Sequence, residues 1–187
     1  MNEAHEACGG DEWRSMMLSI VPSAIGDIDL GDDVLEVGPG YGAATDVVSR
    51  TVARLTAVEI DPRLVAYLTD RFSSHPQVDV RQGDATALEF EDGRFSGAIC
   101  FTMLHHVLTG EQQDRVFAEV RRVLRPRAAL VASDNLASGE LEASHHGDTY
   151  NPIDPGNLAA RLEAAGFGDI TVTTNPYAWL VTARRPA

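Results

Sequence analysis

The sequence predicts an α/β fold: one domain over 1–187, built on a seven-stranded, doubly wound and mostly parallel sheet. Three observations lead there. Strand-like and helix-like runs alternate almost without interruption, and strands separated by single helices pair in parallel through right-handed crossovers, with helices on both faces. The last two strand-like runs, "DITVTT" and "AWLVTAR", have no helix between them and read as an antiparallel pair. A length of 187 residues, 44% hydrophobic and 23% charged, suits one domain with a substantial core.

The elements follow in order. "EWRSMMLSIV" places Trp13, Met16, Met17, Ile20 and Val21 on one helical face, the methionines reading as core packing. This helix belongs to a segment, 1–30, expected to cover the site. Strands are expected at 33–37, 54–60, 78–82, 95–101, 128–134, 169–174 and 178–184. Asp61 and Pro62 carry the cap-and-proline signature of a helix start. "GEQQDRVFAEVRRVL" is an amphipathic helix that Pro126 is expected to stop, and "DPGNLAARLEAAGF" a helix closed by Gly166. The longest stretch without regular structure is 135–153, and connections of that length are usually functional or disordered.

Composition excludes several classes of function. The net charge of −13 repels phosphate backbones and anionic membranes, and the arginines at 121, 122, 125 and 127 read as a solvated face. No apolar run approaches the ~18–20 residues that span a bilayer. The two cysteines, Cys8 and Cys100, form no CxxC pair, so neither a disulfide framework nor a structural zinc site follows. The acidic start "MNEAHEACGGDEW" lacks the pattern of a signal peptide. The expectation is a cytoplasmic protein acting on a small molecule, with neither nucleic acid nor membrane as partner; its oligomeric state is open.

The most informative stretch is "VLEVGPGYGAATDVV". Gly38-x-Gly40-x-x-Ala43, with Glu59 at the end of the next strand, satisfies the dinucleotide fingerprint. Glu36 argues against a pyrophosphate, because a carboxylate there would repel the anion that a helix N-terminus attracts. An ammonium group would instead find a charge-assisted partner in it. A ligand with an amino acid at one end and adenosine at the other uses every feature. Glu36 holds the amino group, Glu59 accepts from the ribose diol, Asp84 and the Ala85 N–H meet the adenine edge, and Ile60 lies on its face.

These residues resemble the class I S-adenosylmethionine-dependent methyltransferases, of the small-molecule, type-11-like kind. The resemblance rests on "EVGPGYG", "VEID", "GDA", "FTMLHH" and "EVRRVLRPRAALV", in that order and over roughly residues 30–185. It implies a sheet ordered 3-2-1-4-5-7-6 with strand 7 antiparallel. It also implies S-adenosylmethionine as cofactor, S-adenosylhomocysteine as product, and Glu36, Gly38, Gly40, Gly42, Glu59, Ile60, Asp84, Ala85 and Phe101 as the cofactor site. One departure stands out. Arg127-Ala128 occupies the place where relatives commonly have two glycines, in a turn expected to be remote from the cofactor.

The acceptor machinery is expected after strands 4 and 5, at the carboxyl edge of the sheet. His105 and His106 are the candidates for general base, His106 being preferred. Asp134, at the end of the fifth strand, and His145, His146 and Tyr150, in the following loop that walls the site, are the candidates for substrate contact. Asp134-Asn135 resembles the "DN" pair of catechol-type O-methyltransferases, but one acid and one amide make a thin oxygen cage. Adjacent histidines in an extended loop point apart, so no metal ligand is assigned. "NPY" at 175–177 reads as a turn. The implied activity is methyl transfer to a small or medium-sized metabolite through an oxygen, nitrogen or carbon atom. The alternative is a non-catalytic S-adenosylmethionine-binding sensor or a protein supporting a partner subunit.

Overall fold

The computed structural model describes residues 8–187; the first seven residues of the expected 1–30 cover lie outside it. Helix α1 (Asp11–Ile25) leads into β1 (Asp33–Val37), α2 (Ala43–Val48), β2 (Arg54–Glu59), α3 (Pro62–Arg71) and β3 (Val78–Gln82). Then come β4 (Phe95–Phe101), a 3-10 turn (Leu104–His106), α4 (Gly110–Val123) and β5 (Leu124–Asn135). Short α5 (Gly139–Ser144), α6 (Pro155–Ala164), β6 (Gly168–Thr174) and β7 (Ala178–Arg184) complete the chain. The sheet runs β3-β2-β1-β4-β5-β7-β6, the expected order. Pairing is parallel from β3 through β5 and antiparallel where β7 joins β5 and β6.

Strand periodicity sorts side chains onto two faces. Leu35, Ala98, Cys100, Leu130 and Ala132 join one core with Val116, Phe117, Leu158 and Leu162 of α4 and α6. Val34, Ile99, Phe101, Ala129 and Val131 join the other with Met17 and Val21 of α1 and Ala43, Ala44 and Val48 of α2. Glu36 shares the parity of Val34 and therefore points under α2. Helix starts are secured locally. Asp61 accepts from the Arg63 N–H at 2.8 Å, and Thr109 and Gln112 form a reciprocal capping box. No helix among the described residues is long and apolar enough to cross a membrane.

Four details differ from the sequence reading. Helix α4 ends at Val123 and β5 begins at once, so Pro126 sits inside the strand rather than between elements. The strand tolerates it because the β4–β5 register shifts there, between Phe95 and Gly97. Arg127, in the same irregularity, has φ 68°. Glycine would adopt this left-handed backbone without strain. Segment 135–153 is not wholly irregular, since α5 starts on a Ser138 cap. Finally, the methionine pair divides: Met17 is buried, whereas Met16 is 43% exposed, as is appropriate to a residue facing a cavity.

Candidate active site

The loop after β1 turns on Gly38, Gly40 and Gly42, all with positive φ. A Cβ on Gly38 would collide with Met103, while one on Gly40 would meet nothing within 4 Å. Gly38 is thus needed by packing, and Gly40 leaves an open approach to the backbone. Gly42 caps α2 and borders Leu68 and Phe72 rather than a cavity.

Glu59 anchors this loop. It is buried at the end of β2 and accepts from the backbone N–H groups of Gly40 (3.2 Å), Ile60 (2.9 Å) and Asp61 (3.0 Å). Burial raises its pKa against the pull of those three donors. A cavity of about 460 Å³ runs along Gly38, Gly40, Glu59, Ile60, Asp84 and Ala85 toward Met103 and His106. Asp84 Oδ1 accepts from both the N–H and the hydroxyl of Thr86, which orients the carboxyl on the cavity wall. Ile60, 64% exposed, lies on the same wall. A Cβ on Gly83 would already touch Val58 at 3.0 Å, so the backbone passes close to β2 here.

Glu36 and Phe101 line a smaller adjoining pocket of about 80 Å³, which shares Gly38, Gly40 and Thr102 with the large cavity. The Glu36 carboxyl is buried and accepts from the Thr45 hydroxyl at 2.7 Å. Desolvation pushes its pKa up to about 7, and the nearby carboxylates of Asp46 and Glu59 add to the shift. The field in this pocket is negative, so it favours a cationic group.

A second large cavity, of about 480 Å³, opens beneath α1. Cys8, Trp13 and Met16 form one wall; Thr102, His105, Asn135 and His145 form the other. Thr102 lines all three spaces. It also has φ 51°, a strained conformation for a β-branched residue, costing about 1–3 kcal/mol. Its N–H donates to Ser133 O at 2.8 Å, which ties the end of β4 to β5.

Beside it, His105 is held on both sides by Asp134. The backbone N–H donates to Oδ2 at 2.9 Å and Nδ1 lies 2.6 Å from Oδ1. Oδ1 also accepts from the Asn135 N–H at 2.7 Å. A carboxylate that already accepts from two amides takes the Nδ1 proton as a third donor, which leaves the lone pair on Nε2.

The sequence-selected acceptor residues therefore separate. His105 and His145 line the second cavity and His106 the first. Asp134 lies buried and reaches the site through His105. Tyr150 exchanges hydrogen bonds with the backbone of Ser138 through its hydroxyl, and His146 is exposed. Trp13 and Met16 of the helix expected to cover the site do line the second cavity, whereas sequence reasoning missed Thr102 and Cys8 as wall residues, and the coupling of Asp134 to His105. A signal for that coupling did exist. Adjacent parallel strands ending on "FT" and "SD" bring the residues beyond them together at the carboxyl edge.

With this geometry in place, comparison with known proteins becomes informative. A profile of the family described as "Methyltransferase domain" matches residues 35–132, just over half of the chain. The chain belongs to this family. It is a class I S-adenosylmethionine-dependent methyltransferase by family, and S-adenosylmethionine is the family's cofactor. One similar methyltransferase is the ribosomal RNA small subunit methyltransferase A of Parasynechococcus marenigrum, 37% identical over 123 residues. That match takes in 63% of this chain and 40% of the relative, so the chain spans less than half of its length. A probable S-adenosylmethionine-dependent methyltransferase of Mycolicibacterium smegmatis is 29% identical over 73% of this chain and 52% of its own. In fold, the chain superposes on the PH0226 protein of Pyrococcus horikoshii with a TM-score of 0.81, at 17% identity, covering 95% of this chain and 93% of the other.

Proposed function

We propose that this chain transfers the methyl group of S-adenosylmethionine to a small or medium-sized metabolite, in a reducing compartment such as the cytoplasm that suits its unpaired cysteines, Cys8 and Cys100. The observation that carries this reading is the meeting of two cavities of similar size, about 460 and 480 Å³, at Thr102 and the His105–His106 turn. One space is for the donor and one for the acceptor.

The residues present fit the cofactor. The negative pocket at Glu36 receives the amino group, Glu59 and Asp84 serve the ribose and the adenine amine, and Ile60 offers an apolar wall. When bound, the cofactor supplies an electrophilic methyl group; the chain supplies position and proton handling. His105, oriented by Asp134, presents Nε2 to the acceptor cavity as a general base for an O–H or N–H acceptor, with His106 at the donor side. The net charge of −13 and a cavity roofed by α1 favour a metabolite over a nucleic acid.

Calorimetric titration with S-adenosylmethionine, S-adenosylhomocysteine and NAD tests the cofactor. Both adenosyl ligands should bind and NAD should stay silent; NAD binding, or no binding, overturns the reading. A screen of small acceptors with labelled cofactor then tests catalysis. Transfer to RNA alone would replace the metabolite, and tight cofactor binding without transfer to any acceptor would favour the sensor.

A further inference from the structure

We propose that His105, His106 and His145 form a binding site for one divalent transition-metal ion of the zinc class, with an open coordination position on the acceptor cavity. One ring nitrogen from each of the three lies within 4.8 Å of the others. The rings are mutually close, with centroids 3.9 Å apart for His105 and His106, 5.0 Å for His105 and His145, and 5.1 Å for His106 and His145. A tetrahedral site with metal–nitrogen bonds near 2.0–2.1 Å needs nitrogens about 3.3 Å apart, so small side-chain rotations close the cage.

Tautomers supply the second, independent argument. His145 Nδ1 lies 2.7 Å from Leu141 O. A carbonyl carries no hydrogen, so Nδ1 must be the donor and Nε2 keeps its lone pair. His105 is in the same state for a different reason, its Nδ1 proton being held by Asp134. Two imidazoles from distant segments thus each give one N–H to an oxygen acceptor and keep the other nitrogen for a ligand. Metal-ligating histidines use this arrangement, in which a carboxylate or a backbone carbonyl fixes the ring and raises the basicity of the ligand.

The donor set selects the ion. Three neutral imidazoles suit zinc and its first-row neighbours, whereas Mg²⁺ and Ca²⁺ require oxygen ligands. His105 and His145 line the cavity beneath α1, so a three-nitrogen ion leaves its fourth position toward the acceptor. A hydroxyl or thiol bound there gives up its proton to water near neutral pH, as metal-bound water does. In the metal-loaded state Nε2 of His105 holds the ion rather than a proton. Metal binding stands on the imidazole geometry alone; this catalytic consequence rests on the methyl-transfer reading.

The test is direct. Full-length chain stripped with a chelator is dialysed against Zn²⁺ and, in parallel, Co²⁺, and the bound metal is measured by elemental analysis and visible absorption. The variants are His145→Asn and His146→Ala. Asparagine keeps an N–H for Leu141 O while removing Nε2, which guards against loss of the fold, and S-adenosylhomocysteine affinity reports integrity in each sample. The expected result is one ion per chain with the absorption of four-coordinate Co²⁺ and no competition from Mg²⁺. Affinity should fall about a hundredfold or more in His145→Asn and stay unchanged in His146→Ala. Failure of the wild type to retain zinc, or equal retention by His145→Asn, overturns the site. Zinc binding without any adenosyl-ligand binding would sink the methyl-transfer reading and leave the metal site standing.

Discussion

Along β1, β2 and β3 the cavity-facing groups come from segments a few residues long, whereas along β4 and β5 they converge from far apart in the chain. Gly38 and Gly40 share one loop, and Glu59 meets Ile60 and Asp61 through its own backbone neighbourhood. On the other half, His105 depends on Asp134, 29 residues away, and His145 arrives on the cap of α5. The two halves teach different things about design. The donor side is made of turn geometry and strand ends that a short motif can encode. The acceptor side is made of side-chain encounters, which can change from one chain to another without disturbing the sheet.

The comparison can be broken most sharply at His105. If the halves are separable, His105→Ala should lower methyl transfer by about 10²–10⁴-fold while S-adenosylhomocysteine binds within about twofold of wild type. Turnover and calorimetry on the same preparation decide this, and a matching collapse of cofactor affinity would show the halves to be one unit. The complementary change is Glu59→Ala, which removes the acceptor tying Gly40 to β2 together with the proposed ribose contact. Cofactor affinity should weaken by about 1.5–3 kcal/mol, read by titration, with the melting curve remaining cooperative. Unaltered affinity in a folded variant would remove Glu59 from the donor site.

A smaller effect distinguishes the halves by pH. Glu36 has its pKa raised to about 7 in the free protein, above its unfolded value. It therefore contributes stability that is complete below pH ~4.5 and lost as pH rises through ~7. An ammonium group bound beside it favours the carboxylate, so binding below pH 7 must release a proton. S-adenosylmethionine affinity should rise by about tenfold between pH ~5.5 and ~7.5 and fall again above pH ~8, where the ligand's own amino group loses its proton. Calorimetry in buffers of differing ionisation enthalpy measures the proton, and Glu36→Gln should abolish the rise. A pH-independent affinity would separate Glu36 from the ligand.

The smallest effect lies outside both halves. Arg127 has left-handed backbone at the far end of β5 from Asp134, and glycine adopts that conformation without strain. Arg127→Gly should stabilise the protein by about 0.5–1 kcal/mol, seen as a raised melting temperature with unchanged cofactor affinity. A lowered melting temperature would mean that the freedom glycine adds to the unfolded chain outweighs the strain.

By itself the sequence determined the sheet and named several of the residues that line the first cavity. The alternation of strand-like and helix-like runs fixed the order of the elements, and the order of short motifs placed Glu36, Gly38, Gly40, Glu59 and Asp84 at or near successive strand ends. These are local properties: a turn needs glycine wherever its backbone goes left-handed, and a strand end presents its last side chain to the carboxyl edge regardless of context. Even Gly42, chosen as a ligand residue, was legible as a glycine, though only the packing of Leu68 and Phe72 showed what it serves. The tertiary structure alone decided the acceptor side. The sequence offered six histidines with no means of pairing them, and neighbours such as His145 and His146 divided between cavity and solvent. What joined His105 to Asp134 was the parallel register of β4 and β5, and what joined it to His145 was a ring contact with the residue that ends α5. Distances between segments so far apart in the chain are set by the packing of the whole sheet, which no local pattern records.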